Sequence, residues 1–543
     1  MFGQKYLRSL SMVLFTFALA ACGGGGGAPD FSSNLGGGYF PGEVRPLTFD
    51  PSGQASLQFG ELSGGEEFAL IFFAANSQPN NFGIQVKSGT LSESDPRLLQ
   101  APAPLLQEDS GSEDPTTLLH SILREEEALI GQAMNAGDSG KALAAEGPDK
   151  FASIAQPWNE SCANGQGMLV KILASMSNTD QYELVCARHY QTTGNADYFV
   201  DEGSLDLIPP SLLNPIIEEF EKKIDREREL LGQETDVNGD GRFAVCFCSG
   251  VNRLGAQVGG YVTGFFFGAD LFPQSSLPAS NEKEILFISV PDPAGRYGIP
   301  VASEFWASNI ASSVLPHEYQ HMINYRYKVF DHNIGAEEGW ANEGLSHLLE
   351  DLNASDPNPL PFTGKENPSR VGLFLESPEQ ASFISGTTLA QRGGAYLFFR
   401  YLYEQSDLGR YPNVNDGRDL LHQLIQSPNK GVHNIEEATG WSFRNLLLDF
   451  YATVQLSQTG ITEDPRYNFH GINLFGDQND NRGTTLAGVN SKALVGFPIQ
   501  DAVRSPGGLF FNLAAPAIKG AGSKLQLVAD PNMVPGGALI RIQ

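Results

Sequence analysis

The sequence predicts a multidomain α+β protein, in which a central unit with a sheet-bearing half followed by a helical half is flanked by small β-domains. Three observations carry this expectation. The chain has 543 residues, 41% of them hydrophobic, which is more than one ordinary core absorbs. Near both ends, short apolar runs alternate with polar residues between Gly, Asn and Pro clusters, the pattern of strands and turns. In the middle, strand-like runs give way after Asn309 to segments with helical spacing.

In chain order, Lys5 and Arg8 precede an apolar stretch from Leu10 to Ala20 that ends in small residues, which reads as a secretion signal over residues 1–21. The junction Leu19-Ala20-Ala21-Cys22 resembles the lipobox of bacterial lipoproteins, which implies a lipid on Cys22 and a place in the bacterial cell envelope. Gly23 beside Cys22 resembles the signal for delivery to the outer membrane. Residues 22–43, rich in Gly, Ser and Asn, read as a flexible tether. Residues 44–106 read as a small β-domain, with Ala55–Phe59 and Phe68–Phe73 as strands. Residues 107–154 read as a linker with one helix, around Leu118 to Ala133.

The central unit spans 155–460. Leu184–His189, Tyr198–Asp201, Phe243–Cys248, Gly260–Phe267 and Glu284–Val290 read as strands, and Pro210–Leu231 reads as a helix that stops at Gly232. Residues 461–543, with runs such as Leu509–Leu513 and Leu525–Val528, read as a C-terminal β-domain. Beside Cys22, the cysteines are Cys162, Cys186, Cys246 and Cys248, an even set suited to disulfides after export; Cys162 with Cys186 is the simplest pairing, and the connectivity is open.

Chemistry concentrates in His317-Glu318-Tyr319-Gln320-His321. On a helix, histidines four apart place both imidazoles on one face, where they can share one Zn²⁺. Glu318, next to the first of them, projects near the ion without binding it and can take a proton from an attacking water. Pro316 must start this helix or kink it. A catalytic zinc needs a third protein ligand. Glu343 lies 22 positions after His321 in a second apolar-striped helix marked by Leu345, Leu348, Leu349 and Leu352. Glu337 and Glu338 are rival third ligands.

An Asn-Glu pair opening a second helix resembles the gluzincins, thermolysin-like zinc peptidases. More closely, His317–Asn324 followed by Trp340–Asp351 resembles the hyicolysin family of metallopeptidases. The close resemblance covers residues 300–405 and is specific in the two zinc-site segments. It implies a zincin-like fold, one catalytic zinc on His317, His321 and Glu343, Glu318 as general base, and a protein or peptide substrate; with no recognisable acidic motif upstream to capture a free substrate amine, internal cleavage is expected over aminopeptidase action. His347 stands where thermolysin-like enzymes carry the Asp that orients the first histidine, so it is a candidate outer partner of the site, and Glu350 is a candidate for the missing carboxylate. Tyr396 resembles the helical tyrosine that stabilises the oxyanion in several gluzincins, with packing in an aromatic core as the other reading. His422 and His433 are weaker alternatives.

Asp236, Asn238 and Asp240 before Gly241 resemble the first half of a calcium loop, or else an Asx-rich turn, since Phe247 stands where the bidentate carboxylate belongs. Gly259–Gly264 reads as an edge strand to which an extended substrate adds, or as an interior strand. With Lys+Arg 35 against Asp+Glu 63, the net charge of -28 argues against nucleic acid and leaves the lipid as the only membrane contact. The rival from another class is a surface adhesion or assembly lipoprotein that uses the same domain as a scaffold. Oligomeric state is open.

Overall fold

The computed structural model describes residues 32–35, 39–89, 114–135, 162, 167–353, 361–364, 366–386, 388–520 and 522–543. The signal segment and Cys22 lie outside the described residues. The architecture is α+β, with a mixed sheet and a helical half as expected, and a β-sandwich built from both ends of the chain.

The mixed sheet runs in the order β10-β11-β9-β8-β7-β6. Its strands are β6 (Met168–Leu173), β7 (Tyr182–Thr192), β8 (Ala196–Asp201), β9 (Phe243–Phe247), β10 (Gly264–Phe266) and β11 (Ile285–Ile288). β9 is flanked by parallel neighbours and is wholly buried, so its Phe-Ala-Val-Cys-Phe run is continuous rather than alternating. β10 is the edge, antiparallel to β11, and is shorter than the Gly260–Phe267 run suggests. Disulfides join Cys162 to Cys186 and Cys246 to Cys248.

Ten helices of nine residues or more complete the unit among the described residues. They are α1 (Pro115–Asn135), α2 (Pro210–Leu231), α3 (Ser249–Gln257), α4 (Ser312–Tyr325), α5 (Gly339–Leu352), α6 (Asn367–Glu376), α7 (Leu389–Asp407), α8 (Gly417–Gln426), α9 (Gly431–Thr439) and α10 (Phe443–Leu456). α4 continues through Pro316. The carbonyl that a proline at this position leaves without its helical N–H is that of Ser312, and it accepts instead from Lys223 Nζ of α2 at 2.9 Å. π-helical turns flank α4 at Trp306–Ala311 and Arg326–Asp331.

The two β stretches read separately from the sequence share two sheets. One is ordered β1-β3-β15-β5-β13, the other β12-β14-β4-β16-β2. The N-terminal strands are β1 (Ser32–Leu35), β2 (Val44–Pro46), β3 (Gln54–Phe59), β4 (Glu67–Ala74) and β5 (Asn81–Ser88). The C-terminal strands are β12 (Lys492–Ala493), β13 (Ile499–Arg504), β14 (Gly508–Ala514), β15 (Lys524–Ala529) and β16 (Pro535–Arg541). β4 is sandwiched between β14 and β16. Its Leu70 and Phe72 enter the sandwich core, while Ile71 and Phe73 face the helical half, where Phe73 meets Tyr451 of α10 at 5.5 Å. Covering both faces accounts for the unbroken apolar run there. The stretch expected to be a tether up to residue 43 also contributes: Ser32–Leu35 pairs with β3, and Tyr39 is buried against Phe68.

Candidate metal centre

α4 and α5 pack side by side and supply the expected residues. His317, Glu318 and His321 on α4 and Glu343 on α5 are all buried. His317 Nε2 stands 3.3 Å from Glu343 Oε2, and His321 Nε2 stands 3.5 Å from Glu343 Oε1. A residue from outside the expected set joins them. His120 of α1 brings Nδ1 to 3.4 Å from Glu343 Oε1. One ligand atom from each of His120, His317, His321 and Glu343 lies within 4.8 Å of every other.

These four fit a metal ion. Donors about 2.0–2.1 Å from one ion at tetrahedral angles stand about 3.3–3.4 Å apart, close to the distances between each imidazole and the carboxylate. His317 Nε2 and Glu343 Oε1 are buried without a hydrogen-bond partner, as atoms reserved for an ion would be. The other ring nitrogens are engaged in ways that fix the tautomers. His317 Nδ1–H donates to Glu350 Oε1 at 3.0 Å, and His321 Nδ1 lies 3.2 Å from Ser346 Oγ. His120 Nε2–H donates to the Gly264 carbonyl at 3.1 Å, and its Nδ1 faces the cluster, 3.5 Å from Glu343 Oε2.

Burial pushes the His317 pKa down, but hydrogen bonds to Glu343 and Glu350 override it and raise it. Burial lowers the His321 pKa well below its ordinary value, with Arg124 adding to the effect, so the ring is in the neutral form that binds metals. Burial pushes the His120 pKa down, but Glu318 and Glu343 override it and raise it to about 9. Burial pushes Glu318 up, and His120 above all pulls it down to about 2. Two buried carboxylates thus hold whatever positive charge the pocket contains. Glu318 Oε2 accepts from the Phe266 N–H at 2.9 Å on β10, while its Oε1 stands 3.3 Å from His120 Nε2. Glu343 is further anchored by Arg392 Nη1 of α7 at 2.9 Å.

Glu350 Oε1 also takes the His347 Nδ1–H at 2.8 Å, so one carboxylate orients two imidazoles. His317, His347 and Glu350 converge as a second cluster, but Arg370 Nη1 stands 3.4 Å from His347 Nδ1 and opposes a cation there. Glu350→Ala is expected to free the His317 ring and weaken metal binding about 10–100-fold. Competition with a chromophoric chelator measures this, and an unchanged affinity would remove Glu350 from the site.

Other expected residues lie elsewhere. Tyr396, read as an oxyanion donor, is buried in α7 with its hydroxyl donating to Asp351 Oδ2 at 2.5 Å and accepting from Arg400 Nη1 at 2.9 Å, so its proton is spent. Glu337 pairs with Lys328 at 3.4 Å and accepts from the Gly431 N–H, while Glu338 accepts from Trp340 Nε1 at 2.7 Å; neither reaches the cluster. His422 and His433 are exposed. Asp236, Asn238 and Asp240 form an Asx-rich turn. Asp236 accepts from the Gly241 N–H, and Asp240 carries the Lys283 ammonium and the Asn238 amide, so its negative charge is already matched.

No family model matches the chain. Over 232 residues it is 25% identical to the Neutral metalloprotease ShpI of Staphylococcus hyicus, an alignment covering 41% of this chain. The matched stretch spans 47% of that protein's length, so the two share part of each chain. This likeness supports a metallopeptidase relationship, and the buried His/Glu cluster supports a bound metal ion. Among the described residues, no helix is long and apolar enough to cross a membrane.

Proposed function

We propose, proceeding from that partial likeness to a metalloprotease, that the chain is a zinc-dependent metalloendopeptidase acting on protein or peptide substrates. The observation that carries the reading is the pairing of a metal-ready His317, His321 and Glu343 with a buried carboxylate, Glu318, that stands beside them on the same helix. The donor set, imidazoles with one carboxylate, suits zinc. When bound, the ion supplies Lewis acidity to the scissile carbonyl and lowers the cost of ionising water.

The chain's own residues do the rest. Glu318 is held in place by the Phe266 N–H through Oε2, and its Oε1, which faces His120 Nε2 at 3.3 Å, is the oxygen to take a proton from the attacking water and hand it to the departing amine. Glu350 fixes the His317 ring, and Ser346 fixes His321. Arg370 lines the pocket beside His317 and Glu318, and its positive charge favours the oxygen that turns negative as water attacks. β10 forms the sheet edge beside Glu318, the kind of edge with which an extended peptide pairs.

Cleavage of casein by the full chain that stops on chelation and returns with zinc tests the reading; cleavage indifferent to chelation would end it. One observation favours the scaffold alternative, namely that four protein ligands with no open position is the pattern of structural metal sites. Glu318 weighs against it, because a buried carboxylate beside the ion and outside its ligand set is what a hydrolytic site needs to move a proton.

We also propose that the protein is exported and held in the bacterial outer membrane by a lipid on Cys22, on the strength of the Lys5-to-Cys22 segment and the glycines after it. Cys22→Ser is expected to move the protein from the membrane fraction to the soluble one, and a variant that stays with the membrane would refute the anchor.

A further inference from the structure

The fourth member of the metal cluster comes from α1, a helix ahead of the central unit in sequence, and its position has a pattern. Along the edge strand, Thr116 Oγ donates to the Tyr261 carbonyl at 3.1 Å and accepts from the Thr263 N–H at 3.3 Å. His120 Nε2 donates to the Gly264 carbonyl at 3.1 Å, and Arg124 Nη2 donates to the Phe266 carbonyl at 2.8 Å. Glu127 Oε1 accepts from the Gly268 N–H at 2.8 Å. Gly264 and Phe266 flank Phe265, the β10 residue paired with Phe287 of β11, and in an antiparallel ladder alternate residues direct their N–H and C=O groups outward. Those outward groups are what an added peptide strand would pair with.

Side chains of α1 therefore satisfy, one after another, the backbone groups of the edge on which a substrate would lie. The seat is close-fitting. A methyl added to Gly131 would stand 2.5 Å from Gly335 Cα, and one on Gly260 would stand 2.0 Å from Pro115 Cγ. Thr117, His120, Arg124 and Glu127 are all buried, and so are Leu119 and Leu123. What remains open beside the metal cluster is a pocket of about 60 Å³, lined on one side by Thr116 and His120 of α1.

We infer that α1 is a built-in inhibitor of this site: its polar face occupies the substrate-pairing edge of β10, and His120 takes the metal's fourth position, so the chain is latent until α1 withdraws. The inference rests on the metallopeptidase reading and explains why a site with a general base has four protein ligands. Withdrawal of α1 frees the Gly264 and Phe266 carbonyls for the substrate backbone and returns the fourth position to water and the scissile carbonyl. If α1 is seated in about 99 of 100 molecules, ligands that need the open site bind about 100-fold more weakly than they otherwise would.

The test uses the full chain loaded with zinc, wild type against His120→Ala, with three readouts. X-ray absorption at the zinc edge counts imidazoles, acetohydroxamate affinity measures the open position, and casein cleavage measures turnover. The expected result is three imidazoles in the wild type and two in the variant, with acetohydroxamate affinity and cleavage both raised at least about 10-fold. An unchanged imidazole count, or a hydroxamate affinity that does not rise, overturns the inference. Two imidazoles and tighter hydroxamate binding with no cleavage by either protein would uphold His120 as the occupant of the fourth position and sink the peptidase reading instead. Should His120→Ala not fold, His120→Asn keeps a side-chain donor for the Gly264 carbonyl and carries the same readouts.

Discussion

Glu318→Gln is expected to cut casein cleavage about 10²–10⁴-fold while leaving metal content unchanged. The substitution is nearly isosteric, and the amide oxygen can still accept from the Phe266 N–H that now holds Oε2 at 2.9 Å. What it removes is the ability of the other oxygen to take a proton. Glu318 lies outside the set His120, His317, His321 and Glu343 whose ligand atoms converge, so the ion keeps its donors. A drop in cleavage matched by loss of metal would place Glu318 among the ligands, and undiminished cleavage would remove it from the chemistry. Measuring metal and turnover on one sample separates these outcomes.

Glu343→Ala has the second large effect, on binding and stability together. Its carboxylate faces three imidazoles and also neutralises Arg392, which is buried with Nη1 2.9 Å away. Removing it takes away one metal ligand and strands a buried guanidinium. Breaking a buried ion pair from one side costs about 3–5 kcal/mol. Metal affinity is expected to fall by more than the roughly 100-fold upper range for losing an outer partner. Urea unfolding followed by far-ultraviolet circular dichroism, with and without zinc, checks both parts. The wild type is expected to gain stability from zinc and the variant little. A variant as stable as the wild type and equally stabilised by zinc would take Glu343 out of the site.

Much of the centre was legible because it is local. His317, Glu318 and His321 sit within one and a half turns of a helix, and Glu343 follows on the next long helix, so spacing alone brings them within reach. Glu350 and His347 lie one or two turns further along that same helix. His120 was not legible. It stands nearly two hundred positions before His317, in a Glu- and Ala-rich stretch without metal-ligand spacing, and only the fold carries α1 across β10. The available signal was the line of polar residues Thr116, His120 and Arg124 at helical spacing beside Leu119 and Leu123, a polar stripe next to an apolar one that a solvated linker helix does not need.

Tyr396 misled for a related reason. A helical tyrosine after two glycines is compatible with a cleft, but which way α7 turns is set by its contacts with α5 and α6, and these direct the hydroxyl to Asp351. The helix Pro210–Leu231 was legible from its amphipathic period and the glycine after it. The shared sandwich was not. β4 pairs with β14 and β16 across more than four hundred residues, and alternation within a strand says which face is buried but not which strand lies beside it.

The central claim is that one zinc, held by His317, His321 and Glu343, serves a reaction in which Glu318 moves the proton. Mass spectrometry of zinc per chain, with casein cleavage measured on the same samples of wild type and Glu318→Gln, tests it most directly. About one zinc is expected in each protein, with cleavage in the wild type alone, at the rate that the fraction with α1 withdrawn allows. A folded wild-type chain that holds no zinc, or a Glu318→Gln chain that cleaves as fast as the wild type, would contradict it.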